Sequence, residues 1–236
     1  MPYHPNLADW LLLAAVALTT AIDVPLTALS RRAIERGALG RLRLYAFAIA
    51  SQWYTAALVA GLWLAYGRPW SALLLGPVVP WRLALAAAGA AVLVGVALRD
   101  RRQLLARPQA ARLLLQRQGL GTLIPRTRRE LRGWAVLSLT AGCCEELLYR
   151  GFFLALFASV VGIAGAVALS AIIFGLAHAY QGPSGVLRTT LFAVVAAAIA
   201  LAGGSLIPVV AAHAAVDLIA GDALSRIASE PPLAAA

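Results

Sequence analysis

The chain lacks lysine entirely and has few charged residues of any kind. Charged side chains make up 13% of its 236 residues, and all 20 basic residues are arginine. Hydrophobic residues make up 61% of the chain, which is too high a share for a soluble domain of this length. This composition excludes an ordinary soluble enzyme and is typical of a protein that crosses a membrane several times.

Cysteine is also scarce, and its placement excludes a disulfide-stabilised fold. Cys143 and Cys144 are the only two cysteines, and they are neighbours inside an apolar run. The N-terminal segment MPYHPNLAD has no basic stretch before the first apolar run. We therefore expect that run to be a retained membrane span and not a cleaved signal peptide.

The net charge of +10 does not point to nucleic acid, because the arginines are concentrated between apolar runs. Residues 31–43 contain five arginines, and residues 99–132 contain ten. If both segments are cytoplasmic, as positively charged loops usually are, the N-terminus lies outside. We expect anionic lipid headgroups near both segments and no nucleic-acid partner. From the biased composition, we expect a location in the plasma membrane of a bacterium.

Seven apolar runs approach the length of about 20 residues that a membrane span needs. We therefore predict an all-α fold, a polytopic membrane helix bundle with about seven transmembrane helices, six to eight being compatible with the pattern. The runs are Trp10–Leu29, Leu44–Tyr66, Trp81–Leu98, Trp134–Phe157, Val160–Tyr180, Val186–Ala202 and Leu206–Ala220.

The chain divides into three parts. Residues 1–133 hold the N-terminal spans and the Arg-rich segment, residues 134–222 form a candidate catalytic core, and residues 223–236 form a short C-terminal tail. Within the first part, Asp100–Arg132 is polar but contains leucine clusters. It is either an amphipathic stretch lying on the membrane surface or a plain cytoplasmic loop.

The most informative residues are charged groups in the middle of the run Trp134–Phe157. Glu145, Glu146 and Arg150 lie there, although a charge at bilayer depth costs a few kcal/mol on insertion scales. Glu146 and Arg150 are four residues apart and can pair on one helix face. Glu145 lies about 100° around the helix, which makes it the better general base for activating water. Glu146 is then the structural anchor.

Three more polar residues lie within later apolar runs: His178, His213 and Asp217. His213 and Asp217 are four residues apart and can face one cavity. Phe174 and His178 share a face by the same spacing. Imidazoles beside a general base can orient the water or stabilise an oxyanion, so the set suffices for hydrolysis of a peptide bond in the membrane.

Three segments resemble motifs of the CPBP family, which includes the CAAX prenyl endopeptidases and bacterial bacteriocin-processing and immunity proteins. The sequence EELLYR at 145–150 resembles the family's EExxxR motif. Residues 174–178, FGLAH, resemble FxxxH, and residues 213–217, HAAVD, resemble HxxxN or HxxxD. The order and spacing match, and the resemblance covers roughly residues 134 to 220.

The resemblance implies a glutamate-dependent intramembrane endopeptidase that acts on membrane-associated peptides or proteins. It implies that Glu145 and His178 activate water and that His213 and Asp217 form the oxyanion side. It further implies that Glu146, Arg150 and Phe174 support the site. The prenyl endopeptidases typically have Asn in place of Asp217. An ionised carboxylate cannot donate a hydrogen bond to an oxyanion, so Asp217 has the alternative roles of orienting His213 or binding a metal with it.

Members of this family are often labelled metalloproteases, and the resemblance raises the question of zinc. If a metal is needed, the ligands are expected to be Glu145, His178, His213 and Asp217. The chain lacks the HExxH arrangement, in which one helix supplies two ligands and the base. We expect that no cofactor is required, with zinc as the alternative.

Two other functions are compatible with these residues. A non-catalytic immunity or scaffold protein of the same fold is one, and the Asp at position 217 is its only support. A proton-coupled transporter is the other, since intramembrane Glu, His and Arg also form proton relays. The chain shows no inverted repeat, which argues against a transporter.

Overall fold

The computed structural model describes residues 3–117 and 120–229, and these form helices and connecting turns without any strand. The all-α prediction is confirmed. The helices are α1 (Leu7–Glu35), α2 (Arg41–Ala65), α3 (Pro80–Ala106), α4 (Pro108–Arg117), α5 (Arg128–Glu146), a π-helix (Leu147–Phe153), α6 (Leu154–Ala177), α7 (Pro183–Gly203) and α8 (Ile207–Ser229). Short 3-10 helices lie at Trp70–Leu73, Leu120–Thr122 and Ala179–Gln181.

Six helical runs within the described residues are long and apolar enough to cross a membrane. One of them, Arg128–Ala177, has 50 residues, about 75 Å of helix if it were straight and well over twice the thickness of a bilayer core. It contains both the fourth and the fifth predicted spans. The count of six continuous runs therefore lies within the predicted range of six to eight spans.

This long run reverses direction at Gly162. The backbone of Gly162 has φ 73° and ψ 172°. This conformation is not helical, and its positive φ favours glycine. Residues before the break contact residues that lie a comparable number of positions after it along the chain. Ser170 donates to the carbonyl oxygen of Tyr149, and the Phe174 ring lies 4.9 Å from that of Tyr149. The two limbs are therefore antiparallel neighbours.

The segment that follows the glutamate pair is a π-helix, whereas the sequence predicted a regular helix through Phe157. Leu147–Phe153 takes this wider form. Such segments are rare and are frequent at functional sites. The hydroxyl of Ser170 donates to the carbonyl of Tyr149 over 2.7 Å, which satisfies a carbonyl within the wide turn.

Both Arg-rich segments lie at one end of the bundle. Arg41 donates to the carbonyl of Thr122 over 2.7 Å, and the hydroxyl of Tyr45 donates to the carbonyl of Leu123 over 2.6 Å. Arg101 forms an ion pair with Asp222 near the end of α8 at 2.7 Å. These contacts join the start of α2 to the segment between α4 and α5, and the end of α3 to the last turns of α8.

The segment Asp100–Arg132 is more ordered than a plain loop. α3 continues to Ala106, well beyond the predicted end at Leu98, and α4 follows almost at once. An apolar cluster packs this region against α8, and its buried members are Ala111, Leu115, Ile124 and Ile227.

The predicted tail also differs from the structure where it is described. α8 continues to Ser229, so the tail that was predicted to start at residue 223 begins as helix. Arg112 donates to the carbonyl of Ile227 over 2.9 Å and helps to hold this last part of α8. Residues 230–236 lie outside the described residues.

Candidate active site

Close packing of α5 and α8 places the glutamate pair against His213. A Cβ atom at Gly142 would lie only 2.8 Å from the carbonyl oxygen of Val210 and 3.0 Å from the Cβ of Ala214. Only glycine allows the two backbones to approach so closely. One turn further along α5, the side chain of Glu146 meets that of His213.

One half of the site, formed by Glu146, Arg150 and His213, is buried away from solvent and is called the dry half. Oε1 of Glu146 lies 3.0 Å from Nη1 of Arg150, and both side chains are buried, with 0% and 1% of their surface exposed. The predicted pairing of these residues is confirmed. Nδ1 of His213 lies 2.7 Å from the same oxygen. Because a carboxylate paired with arginine only accepts, Nδ1 of His213 carries the proton and donates it.

Aromatic rings close this dry half. The guanidinium carbon of Arg150 lies 4.4 Å from the centre of the Phe174 ring and 5.8 Å from that of Phe192. Both distances are within the range of cation–π attraction. The ring of His213 contacts the same two phenylalanines, at 6.0 Å and 5.3 Å. Phe174 therefore covers the ion pair.

The other half of the site is open. Oε1 of Glu145 accepts a hydrogen bond from Nε2 of Gln52 over 3.0 Å, whereas its Oε2 has no hydrogen-bond partner. Nε2 of His213 lies 3.8 Å from this Oε2 and 3.8 Å from Oδ2 of Asp217. Gaps of this length are too wide for a direct hydrogen bond and suit a bridging water. The side chains of Glu145 and Asp217 are 17% and 37% exposed.

His178 comes to the site from the end of α6. Its Nδ1 lies 2.8 Å from the carbonyl oxygen of Phe174. A carbonyl only accepts, so Nδ1 carries a proton, and in the neutral ring Nε2 has a free lone pair. The ring packs 4.6 Å from that of Phe174 and interacts electrostatically with Asp217 and His213. Among the described residues, no hydrogen bond or ion pair joins His178 directly to Glu145.

The structure thus brings all seven predicted site residues into one cluster at the junction of α5, α6 and α8. It divides them into a buried half around Glu146 and a partly exposed half around Glu145, which the spacing did not predict. His213 contacts both glutamates, through Nδ1 on one side and Nε2 on the other. Asp217 lies at the exposed rim of the cluster.

Gln52 was missed by sequence reasoning, whereas the turn at Tyr180 was expected from its position after His178. Gln52 lies in α2 and has no motif around it, although a lone amide within an apolar run was a weak signal. Tyr180 lies just after α6, and its ring lies 5.8 Å from that of His178. Its carbonyl accepts a hydrogen bond from Arg31 of α1 over 2.7 Å. α1 therefore holds the turn that borders the site.

The residues proposed as zinc ligands do not converge into a metal centre. No group of three or more His, Cys, Asp or Glu side chains in the described part of the chain has the arrangement to hold a metal ion. Nδ1 of each site histidine faces an acceptor, the Phe174 carbonyl or Glu146, so only Nε2 of each ring could bind a metal.

Comparison with known proteins adds a family match. Residues 127–219 match the family model described as type II CAAX prenyl endopeptidase Rce1-like. The matched segment contains all three motifs and is consistent with a CPBP family protease, as the motifs predicted. The match supports a CAAX-type intramembrane endopeptidase fold, and with the apolar helices it indicates an integral membrane protein. No curated protein and no solved structure matches the chain significantly.

Proposed function

We propose that the chain is a glutamate-dependent intramembrane endopeptidase that hydrolyses peptide bonds of membrane-associated substrates. The single observation that carries this proposal is the contrast between the two glutamates. Oε2 has no hydrogen-bond partner in either glutamate, but Glu146 is fully buried with its Oε1 bound by Arg150 and His213, whereas Glu145 is 17% exposed and has its Oε2 3.8 Å from Nε2 of His213. A base with one positioned oxygen and one oxygen without a partner, 3.8 Å from an imidazole nitrogen, suits general-base activation of a water that bridges the two groups.

In the proposed reaction, Oε2 of Glu145 takes a proton from a water in this gap. The resulting hydroxide attacks the carbonyl carbon of the scissile peptide bond. The lone pair on Nε2 of His178 accepts a hydrogen bond from the second O–H of the same water and orients it. When the tetrahedral intermediate collapses, the C–N bond breaks and Glu145 returns its proton to the leaving amine.

His213 stabilises the oxyanion in this proposal. Glu146 fixes the ring by accepting from Nδ1, so that Nε2 faces the open half of the site. When Nε2 is protonated, it can donate to the oxygen that gains charge in the tetrahedral intermediate. Asp217 lies 3.8 Å from this nitrogen and is proposed to favour its protonated form and to orient it.

The substrate is proposed to approach from the Arg-rich end of the bundle. The turn that contains Tyr180 borders the site and is held by Arg31, which belongs to the first Arg-rich segment. Arg-rich segments near a bilayer attract anionic headgroups, which would keep this end at the membrane surface. We propose that this end is cytoplasmic, in keeping with the usual charge asymmetry of membrane proteins.

The test is cleavage of a membrane-tethered reporter peptide by the full chain in proteoliposomes. Glu145→Gln and His178→Ala are each expected to lower the rate by about 10²- to 10⁴-fold, the usual contribution of acid–base catalysis. Glu35→Gln is the matched control, because Glu35 lies at the end of α1 and contacts Thr122. Unchanged cleavage by the Glu145→Gln variant, or no cleavage by the unaltered chain with any tethered peptide, would overturn the proposal.

A further inference from the structure

We propose that Gln52 of α2 is a positioning residue for the base Glu145. The proposal rests on the proposed function, since it concerns the same reaction. Nε2 of Gln52 donates to Oε1 of Glu145 over 3.0 Å, from a helix that lies outside the matched segment 127–219. The catalytic base is therefore held by a part of the chain that carries none of the three motifs.

The chemistry of the two groups determines how the amide is oriented. An ionised carboxylate only accepts hydrogen bonds, so the amide nitrogen of Gln52 must face Glu145. The amide oxygen then points elsewhere, and it is buried without a hydrogen-bond partner. A buried unpaired amide oxygen is costly, and it is retained here while the amide nitrogen of the same side chain holds Glu145.

This hydrogen bond determines which oxygen of Glu145 faces the gap. The last torsion of a glutamate side chain is broad, so an unrestrained carboxylate samples many orientations. With Oε1 held by Gln52, Oε2 stays on the side of His213, 3.8 Å from its Nε2. Loss of the amide donor would let the carboxylate turn away from the water it has to deprotonate.

A purely structural hydrogen bond between the same two helices provides a comparison. Nε1 of Trp53 donates to the hydroxyl of Thr140 over 3.2 Å, one residue along α2 from Gln52. That bond also joins α2 to α5, but it does not touch the base. If Gln52 served only to join the helices, removal of either bond would have similar consequences.

The experiment compares Gln52→Met with Trp53→Phe in the full chain, using the reporter peptide. Methionine keeps the length of the side chain but has no N–H donor. Gln52→Met is expected to lower kcat about tenfold to hundredfold, the effect of losing a hydrogen bond to a charged group, with KM changed less than about twofold. Trp53→Phe is expected to leave kcat within about twofold.

Thermal unfolding of each variant in one detergent distinguishes a positioning effect on kcat from a loss of stability. The proposal predicts that Gln52→Met unfolds within a few degrees of the unaltered chain despite its lower kcat. If this variant does not accumulate, Gln52→Asn, which keeps the amide but is one methylene too short to reach Glu145, is expected to show the same fall in kcat.

The outcomes for Gln52 and for Glu145 are distinguishable. Equal losses of kcat and of melting temperature in Gln52→Met and Trp53→Phe would overturn the positioning role. So would an unchanged kcat in Gln52→Met while Glu145→Gln is inactive, although the proposed function would then stand. Unchanged cleavage by Glu145→Gln would overturn the proposed function itself.

Discussion

The two halves of the site differ sharply although adjacent residues supply their carboxylates. Glu146 lies in the dry half, fully buried beneath Arg150 and the aromatic rings. Glu145 lies in the open half, partly exposed, with one oxygen held by Gln52 and the other free. The comparison shows that one residue step along a helix separates a fully buried carboxylate from a partly exposed one.

The difference arises from what each carboxylate meets across the helix interface. The side chain of Glu146 points into the contact between α5 and α8, where His213 and Arg150 share its Oε1. The side chain of Glu145 points toward α2 and the rim at Asp217. The account therefore predicts that substitutions in the dry half affect stability first, and that substitutions in the open half affect activity first.

The largest effect on stability is expected from Arg150→Met. This change leaves the carboxylate of Glu146 buried without its cation, and breaking a buried ion pair in this way costs about 3–5 kcal/mol. We expect poor accumulation in the membrane and a much lower unfolding midpoint in detergent. Thermal unfolding of the purified protein measures the effect.

Arg226→Met is the control for Arg150→Met. Arg226 also pairs with an acidic residue four positions away, Asp222, but its side chain is 62% exposed. Exposed pairs contribute about 0–1 kcal/mol, so a small change is expected. Similar losses of stability in the two variants would contradict the view that the Glu146 half is dry.

A smaller effect is expected from Ser170→Ala. The hydroxyl of Ser170 donates to the carbonyl of Tyr149 within the π-helix, in a buried contact. Its removal leaves a buried carbonyl with one partner fewer, at a cost of about 1–3 kcal/mol. We expect a lower unfolding midpoint together with a partial loss of cleavage, because the π-helix joins the glutamate pair to the second limb.

Ser159→Ala is the matched control, since the hydroxyl of Ser159 donates only to the nearby carbonyl of Leu156. Unfolding midpoints measured side by side should show the larger change for Ser170. The role given to the π-helix is wrong if the two variants behave alike.

The smallest effect is expected from Asp217→Asn. The side chain is 37% exposed and lies 3.8 Å from Nε2 of His213, without a direct hydrogen bond to it. The amide keeps the shape of the side chain and can donate to an oxyanion, so we expect cleavage to stay within about tenfold of the unaltered chain. Stability should change by less than about 1 kcal/mol.

Steady-state cleavage of the reporter peptide by Asp217→Asn measures this effect. A loss as complete as that of Glu145→Gln would mean that the charge of Asp217 is itself essential, as for a second base or a metal ligand.

Local spacing was sufficient to predict much of the site. The four-residue interval between Glu146 and Arg150 predicted an ion pair that the structure contains, and the same interval places His213 and Asp217 beside one gap. The apolar runs predicted the helical spans and the break between α7 and α8. These features depend on residues close together in the chain, which helix geometry relates directly.

The remaining features depend on contacts between distant parts of the chain. The hydrogen bond from Gln52 to Glu145 joins residues 93 positions apart, and no local pattern predicts it. The sequence placed the break between the fourth and fifth spans at residues 158–159, whereas the chain reverses at Gly162, because apolar residues continue through both positions. The π-helix was missed for a similar reason, since Ser170 from the opposite limb supplies a partner for its backbone.

The most direct test of the central contrast is to measure Glu145→Gln and Glu146→Gln side by side, recording the cleavage rate and the unfolding midpoint of each. The account predicts that Glu145→Gln unfolds like the unaltered chain but loses about 10²- to 10⁴-fold in rate. It predicts that Glu146→Gln unfolds at a clearly lower temperature, because the buried Arg150 loses its counter-charge. Equal destabilisation by the two substitutions, or cleavage that survives in Glu145→Gln and disappears in a stably folded Glu146→Gln, would contradict it.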